Sequence, residues 1–133
     1  MKKIDIIGAG ISGLFIANLL KKNPSYQITI YEKNTTITLD EGYGIQLSVN
    51  SIKLLNKIEF NKFKNDKKYN PEKINFYSIK NSKKICELNI SDFNLEDCKY
   101  TTLKRSDLID FLKRDLKHLI KTNHSISKID QDN

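Results

Sequence analysis

Three glycines and one acid near the start of the chain have the types and spacing to do chemistry. Gly8-Ala9-Gly10-Ile11-Ser12-Gly13 spells G-x-G-x-x-G, and Glu32 follows Gly13 by nineteen residues. Such a turn cradles a pyrophosphate: Gly8 permits the tight turn, Gly10 lets backbone amides come close, and Gly13 lets a helix pack against a strand. A helix beginning at the turn adds amides and a partial positive charge for the phosphates. A carboxylate at the position of Glu32 can accept both hydroxyls of a free ribose, and it repels a 2′-phosphate.

This chemistry requires a strand before the turn, a helix after it and a second strand ending at the acid. Lys3 to Ile7 reads as the first strand. Leu14, Phe15, Ala17, Asn18 and Leu20 follow at helix-compatible spacing, and the helix should end near Asn23-Pro24, because proline disfavours helix in the residue before it. The β-branched and aromatic run Tyr26 to Tyr31 reads as the second strand, with Glu32 at its end. Together these form the βαβ dinucleotide fingerprint of an α/β, Rossmann-like fold; by itself the fingerprint leaves NAD and FAD both open.

The chain has 133 residues, enough for one domain with an ordinary core. Its 38% hydrophobic and 29% charged residues suit a globular protein. The formal net charge is +7, but lysines are scattered from Lys2 to Lys128 with no aromatic-interleaved basic stripe, so no nucleic-acid partner is expected. Asp5 and the glycines interrupt the first apolar run well short of the roughly 7–15 residues of a signal peptide. Cys86 and Cys98 stand apart with no CxxC, and no stretch approaches the roughly 20 apolar residues of a membrane span; a reduced, cytoplasmic chain is expected. His118 and His124 lack acids or cysteines at metal-ligand spacing, so no metal site is expected.

Further along, Lys33 to Glu41 reads as a polar loop, followed by Gly42-Tyr43-Gly44-Ile45-Gln46-Leu47-Ser48-Val49-Asn50. Ile52, Leu54, Leu55 and Ile58 then describe an amphipathic helix from Ser51, capped by a serine or asparagine. Asn61 to Asn70 is lysine-rich and non-periodic and reads as a solvated loop. "INFYSIK" and "KKICELNI" around Asn81-Ser82 predict a β-hairpin. Thr101 to Arg105 leads to Ser106, a natural N-cap for a helix carrying Leu108, Ile109, Leu112, Leu116 and Leu119. Ser125 to Ile129 reads as a last strand, and the chain stops in a turn at Asp130-Gln131-Asp132-Asn133.

Two of these segments carry a resemblance. "GYGIQLSVNSIKLL" resembles the GxGIQLxPNAxxxL segment of the single-component FAD-dependent aromatic hydroxylases, of the salicylate hydroxylase-like and p-hydroxybenzoate hydroxylase type, and "LKRSDLIDFLKR" resembles their hRxxLxxxL segment. With the fingerprint, three motifs stand in the family's order along nearly the whole chain. Val49 replaces the family's proline and Ser51 its alanine, and no arginine precedes Gly42. The first two departures alter loop stiffness and packing more than chemistry; the third leaves the pyridine-nucleotide contact open.

The resemblance implies a Rossmann-like FAD-binding βαβ unit with an added β-hairpin and helices, FAD as cofactor, NADH or NADPH as reductant, and O2-dependent hydroxylation of a small aromatic substrate. It implies FAD contacts at Gly8, Gly10, Ser12, Gly13, Glu32, Lys33, Gly44 and Arg105, and names no catalytic residue. The hairpin near 73–90 would belong to the sheet that floors the substrate cavity; a solvent-facing hairpin is the equally good reading from sequence alone. Family members are several times longer and continue to DG and GD motifs that this chain lacks. The expectation is therefore the N-terminal FAD-binding portion of a monooxygenase, inactive by itself. A stand-alone dinucleotide-binding module and a remnant without catalysis are the alternatives.

Overall fold

The computed structural model describes residues 1–37 and 43–130. In chain order the elements are β1 (Lys2–Ile7), α1 (Ile11–Leu20), β2 (Tyr26–Tyr31), β3 (Gly44–Leu47), α2 (Val49–Asn56), β4 (Lys73–Tyr77), β5 (Lys84–Asn89), β6 (Thr101–Lys104), α3 (Arg105–Lys113) and β7 (Ile120–Lys121), with short 3-10 turns between several of them. They form two compact units, Met1–Gly42 with Arg105–Asn133, and Tyr43–Lys104.

The first unit is built on a parallel sheet of order β1-β2-β7. Lys2 to Ile7 pair with Tyr26 to Tyr31, and Ile30 and Tyr31 pair with Ile120 and Lys121. Ile28 and Ile30 of β2 are buried, and α1 turns Leu14, Ala17 and Asn18 inward, the i, i+3, i+4 set of one helix face. The second helix, α3, buries Leu108, Ile109, Phe111 and Leu112. Leu14, Ile30, Leu108, Ile109, Leu112 and Leu116 are all but fully enclosed, and each such side chain contributes about 1.5–3 kcal/mol over its exposed state.

In the second unit, β3 and β6 pair antiparallel from Gly44↔Lys104 to Leu47↔Thr101. Ser48 caps α2, its hydroxyl accepting from the Ser51 amide, and Ile52 and Leu55 face inward. The hairpin β4–β5 forms as expected, with most of its side chains exposed.

Asn61 to Asn70 is mostly exposed, as a solvated loop is, and it is tethered at both ends: Phe63 stacks at 5.2 Å on the buried Phe60 just before it, the Lys68 ammonium lies 5.5 Å from the centre of the Phe60 ring, and Tyr69 exchanges two backbone hydrogen bonds with Thr102. Three expectations change. Ser106 lies inside α3 instead of capping it, because β6 stays paired through Lys104 and helical geometry begins at Arg105. That helix stops at Lys113, short of Leu119, and residues 117–119 form a 3-10 turn.

Finally, the last strand is at Ile120–Lys121, not Ser125 to Ile129. Asn123 takes φ 57°, a left-handed geometry that asparagine tolerates and a strand does not continue through. Ile126 and Ile129, beyond it, are exposed, with no pairing strand among the described residues. The expected loop from 38 to 41, Gly42, and the closing turn from 131 onward lie outside the described residues.

Candidate functional site

At the C-terminal end of β1 the chain turns at Gly8, whose φ of 95° suits glycine, and the Gly8 amide donates to the Tyr31 carbonyl at 2.7 Å. Gly13 is required by packing: a Cβ there would stand 2.0 Å from the Gly8 carbonyl oxygen and 3.3 Å from Ile6 Cγ2. At Gly10 the reverse holds, since a Cβ would meet nothing within 4 Å, leaving open space on the outer side of the turn.

Gly10 is also the N-cap of α1, without a side-chain capping bond, and the first turn has no acidic residue. The amides of Ile11, Ser12 and Gly13 have no intrahelical acceptor by the geometry of a helix start, and Ser12 is exposed beside them. They form an electropositive edge suited to an oxyanion.

Glu32 leans back over this turn. Its Oε2 accepts from the Ala9 amide at 2.8 Å and its Oε1 from the Asn34 amide at 3.0 Å. The Asn34 amide, then that of Ala9 and the nearby Lys33 charge hold the carboxyl below its ordinary value, against the opposing effect of partial burial. Each oxygen keeps a further lone pair. Lys33 is exposed next to it.

The acid is held from a second side by residues the sequence did not single out. Its amide donates to the Lys121 carbonyl at 2.9 Å, and its carbonyl accepts from the His124 amide at 2.9 Å. The Lys121 ammonium lies 5.5 Å from the Tyr31 ring centre and the His124 ring 5.8 Å from it. No motif marks this clamp, because it depends on β7 pairing beside β2.

Arg105 opens α3, half-buried and with no ion pair or hydrogen bond among the described residues. Its location follows from topology. The strands β2 and β7 are parallel, so α1 and α3, each preceding one of them, run back in the same sense. Asn18 joins the two helices, its Nδ2 donating to the Leu14 carbonyl at 2.9 Å and the Leu112 carbonyl at 2.7 Å. Counting back from that bond, roughly 12 Å of α1 leads to Gly10 and roughly 10 Å of α3 to Arg105. Arg105 therefore lies at the glycine-turn end of the sheet.

Gly8, Gly10, Ser12, Gly13 and Glu32 thus meet in one site, flanked by Lys33, with Arg105 at the same end. Gly44 stands in the second unit on β3, opposite Lys104, where a Cβ would make only an ordinary contact at 3.9 Å. Cys86 is exposed and Cys98 buried, neither in a disulfide. Among the described residues no helix is long and apolar enough to cross a membrane, and no three His, Cys, Asp or Glu side chains gather as metal ligands.

The NAD(P)-binding Rossmann-like domain family matches residues 6–40, from the last two residues of β1 to eight residues past Glu32. No curated protein sequence matches the chain. Solved structures share its fold. The 2,6-dihydroxypyridine-3-hydroxylase of Arthrobacter nicotinovorans aligns with a TM-score of 0.75 at 14% identity, over 98% of this chain and 30% of that one. HpxO of Klebsiella pneumoniae, complexed with FAD and uric acid, aligns at 0.78 and 16% identity, over 98% and 33%. FqzB aligns at 0.74 and 16%, over 98% and 30%. The resemblance read from the motifs holds at the level of the fold, and this chain spans about a third of those structures.

Proposed function

We propose that this chain is the FAD-binding N-terminal portion of a flavin-dependent monooxygenase that hydroxylates a small aromatic substrate with NADH or NADPH and O2. The carrying observation is the ligand-ready turn: open space at Gly10, an uncapped helix start, and a charged Glu32 already oriented over it. The fold shared with HpxO, whose structure holds FAD, supports choosing FAD among dinucleotides.

The residues present fit that cofactor. The amides of the Gly10–Gly13 turn would hold the pyrophosphate, Glu32 the ribose hydroxyls, and Arg105 and Lys33 would balance phosphate charge. Gly44 is assigned to the flavin side on its motif alone. The cofactor itself would supply the redox chemistry, accepting hydride from the nicotinamide and reacting with O2. This chain's part is binding and orientation, with the β4–β5 hairpin proposed to join the substrate-side sheet. The exposed free thiol of Cys86 suits a reducing compartment, and we place the protein in the cytoplasm.

Calorimetric titration of the chain with FAD, ADP and NAD tests the proposal. Saturable binding of FAD and ADP, with NAD weaker, is expected. Strong NAD binding without FAD binding would assign a stand-alone nicotinamide-dinucleotide module, and no binding of any of them a remnant.

A further inference from the structure

Asn18 is the only buried carboxamide in the first unit among the described residues, 7% exposed on a helix face otherwise occupied by Leu14 and Ala17. A polar group in that place must have its hydrogen bonds met or destabilise the core. Its Nδ2 makes two bonds with different consequences. The bond to Leu14, four residues back, is local to α1; the bond to Leu112 crosses to α3.

Leu112 lies in the last turn of α3, where carbonyls run out of helical partners, and the Leu116 amide is committed to the Lys113 carbonyl. Asn18 therefore supplies the donor that this carbonyl would otherwise lack. The other side chains that the two helices bury, Leu14 and Ala17 of α1 and Leu108, Ile109, Phe111 and Leu112 of α3, are apolar and shape-tolerant. A further polar link between their C-terminal ends, Lys21 to Asp115 at 3.7 Å, is a solvent-exposed ion pair of long, adaptable geometry. Such apolar surfaces exclude water without fixing the position of one helix along another, whereas a 2.7 Å bond to one carbonyl fixes it. The other end of α3 is Arg105, whose guanidinium has no hydrogen bond or ion pair among the described residues to hold it.

We propose that Asn18 is a positioning residue for the dinucleotide site: its carboxamide sets α3 along α1, and through α3 it sets Arg105 beside the glycine turn. This rests on the reading of Arg105 as a contact of the bound FAD.

The test is a double-mutant cycle on the full chain, with FAD as the probe. Asn18→Leu removes both bonds. Asn18→Ser keeps a donor for the Leu14 carbonyl and loses the reach to Leu112, a milder variant should the leucine fail to fold. Either substitution should weaken FAD binding about tenfold with Arg105 present, and less than twofold on an Arg105→Met background. Equal weakening in both backgrounds, or lower stability with unchanged affinity, overturns the proposal. An independent readout uses the ligand-free protein. In a ¹⁵N–¹H spectrum, Asn18→Ser should move the Arg105 amide and Nε signals as well as the neighbours of residue 18; changes confined to residues 14–20 and 108–116 overturn it. If no variant binds FAD, the flavin reading fails and the spectrum alone decides whether Asn18 positions Arg105.

Discussion

Replacing Glu32 with glutamine should destabilise the ligand-free protein as well as weaken the proposed FAD binding, because the carboxylate makes hydrogen bonds within the protein itself. Its two oxygens accept from the Ala9 and Asn34 amides at 2.8 and 3.0 Å. A hydrogen bond to a charged group contributes about 1.5–3 kcal/mol, and the half-buried setting of Glu32 argues for the lower end of that range per bond. Glutamine keeps one oxygen acceptor, now neutral, and turns its NH2 toward the other amide donor. The net cost should be about 1.5–3 kcal/mol, a fall in Tm of roughly 6–12 °C for a chain of this size. The sign with pH is set by the lowered carboxyl pKa. The stabilisation is fully present above the unfolded value, near 4.3, and is lost as pH falls through the folded value below it. Urea denaturation of both proteins from pH 7 to pH 3 should show the wild type more stable at pH 7 and the gap closing below about pH 4. Equal midpoints at pH 7, or a gap that widens on acidification, would refute the reasoning.

The glycines should separate folding from binding. Gly13→Ala forces its Cβ against the Gly8 carbonyl and should cost about 1–3 kcal/mol or more in a thermal melt without ligand. Gly10→Ala meets open space, so its melt should stay within about 0.5 kcal/mol of wild type while FAD affinity in calorimetry falls at least tenfold. Arg105→Met removes a side chain without a partner among the described residues; stability should again change by less than about 0.5 kcal/mol, and FAD binding should weaken and lose part of its salt dependence.

The elements legible in the sequence are those specified locally. The run Tyr26 to Tyr31 is β-branched and aromatic, the glycines punctuate a turn, and Pro24 limits α1; each signal lies within a few residues of what it determines. Elements set by distant partners were not legible. The two-residue β7 exists because Ile120 and Lys121 pair with Ile30 and Tyr31, whereas Ser125 to Ile129 pairs with no strand among the described residues. Asn18 reads only as one position of a helix-compatible pattern until Leu112 is placed beside it. Phe60 and Phe63 were masked by the lysines around them, since composition averages over the two residues that anchor the segment.

Arg105 is the intermediate case, because its motif is local while its place at the glycine-turn end of the sheet is topological. After β2 the chain leaves the first unit and re-enters it at Arg105. The sheet order β1-β2-β7 means that both parallel connections advance in the same direction across the sheet. Right-handed connections advancing in one direction lay their helices on the same face, and the Asn18–Leu112 bond places α1 and α3 side by side there. A segment as long as Tyr43–Lys104 can be carried within the second connection at small entropic cost, because closure cost grows only logarithmically with length. What the connection must preserve is its last step, a helix running back along the sheet before β7. With that step kept, the first residue of the helix is delivered to the end of the sheet where Gly8, Gly10 and Glu32 stand, which is why a cation there can be counted among the proposed ligand contacts even though most of the chain separates it from the fingerprint.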